Sequence, residues 1–339
     1  MFIHTQGESL KMVKLNCLQY VRLNEINISK DYSVSALSPN DTFDNLCLQY
    51  HQKFKYKKIK TFGFSKEGFL GLLLELKGTI AISIGETQAL IDGAKLYEKL
   101  GFEIHWIPLS RDGTVNLYGL KNENIDFLFI SSYVMDTFVK IDLKKVKKNT
   151  KAKIISNGTA NIDSQSDAIY FDNYKLNGYN VSGVMLFDGD FFDLIPIGLM
   201  DTVALKLCYE AIENRNFNHD VKDIFLDELL EVFNDEIYFF VNAQHTLEYS
   251  LHFGFKGIKA RELIRTIALS KIFITNGEGC SLGLSKPSRI IKEMGYDELT
   301  CRTALSLSFN SDFSLAEIKR IVYTLYMKYK QLKILNEED

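Results

Sequence analysis

Polar and apolar positions along this chain repeat with two different periods, and the periods alternate. Thr79 to Ile84 reads TIAISI with no charged break, as a strand buried on both faces of a parallel sheet does. Gln88 to Leu100 then places Leu90, Ile91, Ala94, Leu96 and Leu100 at helical spacing, and Gly101 supplies the stop. Phe102 to Ile107 and Ile125 to Ser131 are further strands, with a turn at Arg111-Asp112-Gly113 between them. Upstream, Thr61 and Phe62 end a short strand, and Gly63-Phe64-Ser65 turns into a helix carrying Phe69, Leu70, Leu72, Leu73 and Leu76 on one side. Lys151 to Asn157, Ala168 to Phe171 and Val184 to Phe187 continue the strand series. Strand, helix and strand at this spacing predict right-handed βαβ units and an α/β fold with a mostly parallel mixed sheet between helices.

The pattern shifts after about residue 205. Helices are expected over 202 to 216, 225 to 233 and 259 to 270, with strands over 237 to 241 and 246 to 253. A strand end at Ile272 to Thr275, an amphipathic helix from Pro287 to Met294 and an apolar run from Ala304 to Phe309 follow. An amphipathic helix over 317 to 335 closes the chain. The expected organisation is an N-terminal segment over 1–58 with a helix from an Asp41-Thr42 cap, a large α/β domain over 59–205 and a smaller α+β domain over 206–339.

Composition narrows the function classes. With 339 residues, 46% of them hydrophobic, the chain can bury a large core. A formal net charge of −3 leaves no broad basic surface for nucleic acid. No apolar run approaches the roughly 20 residues that cross a bilayer, and no charged-then-apolar leader opens the chain, so no membrane partner and a cytoplasmic location are expected. The five cysteines (Cys17, Cys47, Cys208, Cys280, Cys301) form no CxxC pair and the histidines no ligand spacing, so neither a metal nor a disulfide framework is indicated.

Two stretches carry candidate chemistry. Gly63-Phe64-Ser65 at a helix start is a phosphate seat in form, because free N–H groups and the helix dipole face an anion there; an ordinary capped helix has the same look. The second stretch is NGEGCSLGLSKPS, which sets Cys280 in a loop with Gly277, Gly279 and Gly283, followed by Pro287-Ser288 and a helix that Gly295 stops. A cysteine alone is usually a small buried hydrophobe. The order of residues here resembles the C-terminal part of the cysteine desulfurases: a small-residue loop with the persulfide-forming cysteine, a proline-serine pair seven residues on, and a helix ending in glycine. The match runs without a gap to Ile318.

The resemblance covers roughly residues 59 to 330 and is strongest from about 245 onward. It implies a fold-type I pyridoxal phosphate (PLP) enzyme of the class V aminotransferase-like group, commonly a homodimer, that takes sulfur from L-cysteine. Alanine is released, and a Cys280 persulfide passes to a sulfur acceptor or an iron–sulfur scaffold. Lys175 stands at the family's Schiff-base lysine, with Gly178 at the glycine three residues later and Tyr174 in place of a histidine. Gly63, Phe64 and Ser65 match the turn that grips the cofactor phosphate. Other positions depart. Thr87 stands where a histidine stacks on the ring, Met135 where an asparagine lies against the cofactor, and Ser156 where an aspartate pairs with the pyridinium nitrogen. Ser306 stands where an arginine grips the substrate carboxylate. Asp163 or Asp167 is a candidate replacement for the aspartate, and Arg289 or Arg302 for the arginine. The long glycine- and arginine-rich segment after residue 187 is short here. Two readings follow: a PLP-dependent desulfurase using Lys175 and Cys280, or a family member without PLP chemistry that acts in sulfur relay or partner binding.

Overall fold

The computed structural model describes residues 12–18, 29–34, 39–121, 124–278 and 286–337. The chain enters through β1 (Val13–Lys14) and α1 (Asp41–Phe54). Asn40 caps α1 by accepting from Phe43 N, one residue before the expected cap, and the helix buries Phe43, Leu46 and Tyr50 while Leu48 stays exposed.

A seven-stranded sheet follows. Its elements are β2 (Lys58–Phe62), α2 (Lys66–Glu75), β3 (Ile80–Ser83), α3 (Gln88–Lys99), β4 (Ile104–Ile107), β5 (Phe127–Phe129), α4 (Leu143–Asn149), β6 (Lys153–Asn157), β7 (Ala168–Phe171), α5 (Asn173–Asn177) and β8 (Gly183–Phe187). The strand order is β2-β8-β7-β6-β5-β3-β4. Strands β4, β3, β5, β6 and β7 run parallel, and β8 lies antiparallel to both β7 and β2. The expected mixed, mostly parallel α/β sheet is what forms. The central strands carry apolar residues on both faces because both are covered: Phe69, Ile82, Leu90, Phe129 and Ile155 pack on one side, and Ala81, Leu128, Val146 and Ile154 on the other. Burying each of the larger side chains contributes roughly 2 kcal/mol.

Helices α2 and α3 approach closely at Gly93, where a Cβ would stand 2.8 Å from Lys66 O. That contact packs the first turn of α2 against the middle of α3, and both helices start from the carboxyl edge of the sheet, where open α/β sheets bind ligands.

The rest of the chain comprises α6 (Thr202–Glu213), α7 (Val221–Phe233), β9 (Ile237–Tyr238), β10 (Ser250–Phe255), α8 (Ala260–Ala268), β11 (Ile272–Phe273), α9 (Arg289–Glu293), α10 (Glu298–Cys301), β12 (Ala304–Ser308) and α11 (Leu315–Glu337). Strands β9, β10 and β12 form an antiparallel sheet, and β1 pairs in parallel with β11. Phe225, Phe253, Phe255, Leu263 and Val322 build the core there. The strand expected over 246 to 253 begins only at Ser250. Thr246 Oγ1 lies 2.9 Å from Ala243 O and 3.0 Å from Ser250 O, which holds the preceding residues in a turn. Among the described residues, no helix is long and apolar enough to cross a membrane, and no group of three or more His, Cys, Asp or Glu is placed to hold a metal ion.

Candidate active site

The site is built on three helix starts. Ser65 caps α2, its Oγ accepting from Gly68 N at 3.2 Å. Thr87 stands before α3 without making a side-chain cap of its own. Asp172 caps the short α5, which brings Lys175 inward with only 7% of its surface exposed. These elements enclose a hollow of about 340 Å3 whose wall includes Phe64, Ser65, Thr87, Tyr174, Lys175 and Glu278. Residues far apart in sequence therefore meet where the sequence reading groups them. Gly63 sits at the turn, where a Cβ would stand 3.9 Å from Ser65 Oγ. Ser156 does not join them. It is buried on β6, outside the wall of the hollow, and its hydroxyl has no hydrogen-bond partner. Cys280 lies outside the described residues.

The centre of the site is Glu278, two residues before Cys280. Its Oε1 lies 2.6 Å from Lys175 Nζ and accepts from Thr87 Oγ1 at 2.6 Å, while Oε2 accepts from Gln88 N at 2.8 Å. This carboxylate thereby caps α3, where the positive helix end favours it. Burial pulls the Lys175 ammonium down, but the Glu278, Asp172 and Asp136 carboxylates outweigh that, so its pKa is raised. Burial pushes Glu278 up, and Lys175 and Arg289 pull it below the usual carboxylate range. Lys175 and Glu278 are thus a buried ion pair with every Glu278 oxygen bonded.

Asp136 holds both stems of the loop that carries Cys280. Its Oδ1 accepts from Glu278 N at 2.8 Å and its Oδ2 from Ser288 Oγ at 2.9 Å. The residue lies in the left-handed region, φ 61°, and burial together with the Glu278 charge pushes its carboxyl up to about 6. Gly277 faces it with φ 94°, and a Cβ there would run into the Asp136 carboxylate. Gly277→Ala is therefore expected to cost about 1–3 kcal/mol and to speed protease cleavage between residues 278 and 286. A denaturant midpoint and a cleavage time course equal to wild type would contradict this anchoring.

The candidate substitutes for missing groups are engaged elsewhere. Arg289 donates Nε to Gln88 Oε1 at 2.8 Å, Nη1 to Ile84 O at 2.6 Å and Nη2 to Glu86 O, so its fork braces the segment before α3. Arg302 pairs with Glu298. Ser306 is buried and donates to Asp136 O at 2.9 Å. Asp163 accepts from Gln165 N and Ser166 N, and Asp167 from Ile154 N; neither lines the hollow. Glu278 and Asp136 were not singled out in the sequence. The available signal was a carboxylate set among the glycines of the Cys280 loop.

Two solved structures share this architecture. A NifS-like protein aligns with a TM-score of 0.71 at 13% identity, covering 95% of this chain and 100% of its own. The NifS-like protein of Rickettsia africae ESF-5 aligns at 0.70 and 15% identity, covering 94% and 100%. The class is therefore the fold-type I PLP-type α/β fold, with a lysine-bearing hollow at the carboxyl edge of its sheet. No family model matches the chain. The cysteine desulfurase IscS of Rickettsia peacockii (strain Rustic) is 20% identical over 296 residues, 77% of this chain and 71% of that protein. In fold, and at this low identity in sequence, the chain is thus similar to cysteine desulfurases.

Proposed function

We propose that this chain is a cysteine desulfurase-like sulfur carrier in which Cys280 holds persulfide sulfur, and in which Lys175 secures the cysteine loop instead of tethering PLP. The observation that carries the reading is the Lys175–Glu278 pair at 2.6 Å, because it joins the family's cofactor lysine to the stem of the family's cysteine loop. Glu278 precedes Cys280 by two residues in the sequence.

The hollow is large enough for PLP, but its donor set does not suit the coenzyme. Lys175 is paired with Glu278 at 2.6 Å, and using its amine to tether a coenzyme would leave that buried carboxylate without its counter-charge. Thr87 offers no ring face, and its hydroxyl is committed to Glu278. Ser156 places no carboxylate where the ring nitrogen needs one to make the ring an electron sink. The wall carries Lys66 and Lys175 against Glu67, Asp92, Asp172 and Glu278, an unfavourable balance for a phosphate dianion. No arginine among the described residues faces the hollow to take a substrate carboxylate. We therefore assign no chemical step to PLP. The chain's own residues do three things: Asp136 anchors both loop stems, Glu278 docks the first stem on Lys175 and α3, and Cys280 supplies the thiol.

The second reading, a PLP-dependent desulfurase acting on L-cysteine and passing sulfur to an acceptor or iron–sulfur scaffold, has one specific observation in its favour. Lys175 and the Gly63-Phe64-Ser65 turn meet at one hollow of adequate size. Two measurements separate the readings. Protein mixed with PLP is expected to remain colourless and to show no borohydride-fixed adduct at Lys175 by peptide mapping. Protein exposed to a low-molecular-weight persulfide is expected to gain one sulfur on Cys280, and Cys280→Ser to gain none. A stable yellow chromophore fixed on Lys175, with sulfide release from L-cysteine, would establish the second reading. Absence of sulfur on Cys280 would remove the first.

A further inference from the structure

A smaller cavity lies on the other side of Lys175. It measures about 110 Å3, and its wall includes Cys17, Thr159, Lys175, Ala211, Arg215 and Phe217. Lys175 lines both this cavity and the larger hollow, so its side chain is part of the partition between them. Arg215 reaches the cavity because α6 stops at Glu213: Asn214 caps the helix and its side chain donates back to Glu210 O. The next residue is then free to turn its guanidinium toward the sheet. There Nη1 donates to Thr159 O, and the group lies 4.6 Å over the Phe217 ring. Phe217 is itself stacked on Tyr249 at 3.8 Å and 5°. The plane of the guanidinium is fixed on one side by a carbonyl and on its face by an aromatic pair.

Its charge is not balanced in the same way. Among the described residues no carboxylate forms an ion pair with Arg215, and the thiol beside it is neutral, since burial pushes Cys17 up to about 11. A guanidinium has five N–H groups in a rigid fork, and a planar carboxylate accepts two of them in parallel. A half-buried cation without a counter-charge is costly unless an anion from solution completes it. At ~30 Å3 per water, the cavity has room for about four waters, the space of a very small organic acid or amino acid.

We propose that this cavity is a binding site for a small carboxylate of about the size of alanine, with the Arg215 fork on the carboxylate and Phe217 holding the fork's plane. This inference does not rest on the sulfur-carrier reading, because it uses neither Cys280 nor the larger hollow.

Isothermal titration of the full chain with L-alanine, acetate, sulfate and methylammonium tests it. Saturable binding of alanine and acetate in the millimolar range is expected, with sulfate weaker and methylammonium silent. Arg215→Lys keeps the charge and removes the fork, and should weaken alanine binding at least tenfold. Ala211→Leu keeps Arg215 and fills the cavity, and should weaken it similarly. It also decides the matter if the arginine variant fails to fold. No saturable heat from wild type would overturn the site. Sulfate binding as tightly as acetate would overturn the carboxylate assignment. Unchanged affinity in folded Ala211→Leu protein would overturn the location.

Discussion

Glu278→Gln is expected to lower stability by about 3 kcal/mol at neutral pH, and Lys175→Met made in the same chain is expected to recover much of the loss. Both side chains are buried, with 7% and 8% of the residue surface exposed, so little solvent screens the pair. Removing the carboxylate leaves an ammonium in a closed site, and that uncompensated charge dominates the cost. Removing both charges leaves packing and the Thr87 and Gln88 contacts, which an amide partly retains. The pH dependence follows from the shifts. Glu278 has a lowered pKa, so its contribution is present above the unfolded value and fades as pH falls through the folded one. Lys175 has a raised pKa, so its contribution is present below the unfolded value and fades as pH rises through the folded one. The gap between wild type and Glu278→Gln should therefore be widest between about pH 5 and pH 10. Denaturant titrations of the four species give the coupling energy directly. A coupling below ~0.5 kcal/mol would mean that the pair does not form.

The same pair shows where sequence reading succeeds and stops. TIAISI, the Leu90–Ile91–Ala94 stripe and the glycine stops dictate local structure by period alone, and the sheet and its helices follow. Ser65, Thr87 and Lys175 come together because each stands just after a strand of one sheet, and a parallel sheet gathers such positions at one edge. Glu278 is different. It reaches the edge from a segment 191 residues beyond Thr87, and no local pattern marks an acid between two glycines as a helix cap for another part of the chain. Asp136 is hidden for a related reason: its left-handed backbone is stabilised by a loop that arrives 142 residues later. The departure at Ser156 was readable as a lost carboxylate. Its exclusion from the hollow was not, because which way a side chain on β6 points depends on register. Arg289 and Arg302 have the residue type that grips a carboxylate, but in the fold carbonyl oxygens and Glu298 already hold them.

Glu86→Gln should remove much of the decline in stability between about pH 4.5 and pH 7. Glu86 lies beside the pair but outside the hollow, where Oε1 accepts from Ser131 Oγ at 2.7 Å and Oε2 from Tyr170 Oη at 2.8 Å. Burial is the first cause of its shift, and the two hydroxyls only partly offset it, so the carboxyl is pushed up to about 7. The folded chain then holds a proton that the unfolded chain has released, and stability falls as pH rises from the unfolded value to the folded one. Shifted from 4.5 to about 7, the group carries a decline on the order of 3 kcal/mol. Asp136 adds a decline of the same sign that ends near pH 6, so the wild-type curve alone does not isolate Glu86. The difference between wild type and Glu86→Gln does. Glutamine stays neutral and can still accept from one hydroxyl, so the variant should gain on wild type as pH rises and level off above about pH 7. Curves that run parallel from pH 4 to pH 8 would show that Glu86 releases its proton at an ordinary pH, and that the Ser131 and Tyr170 hydroxyls suffice to hold its charge in the core.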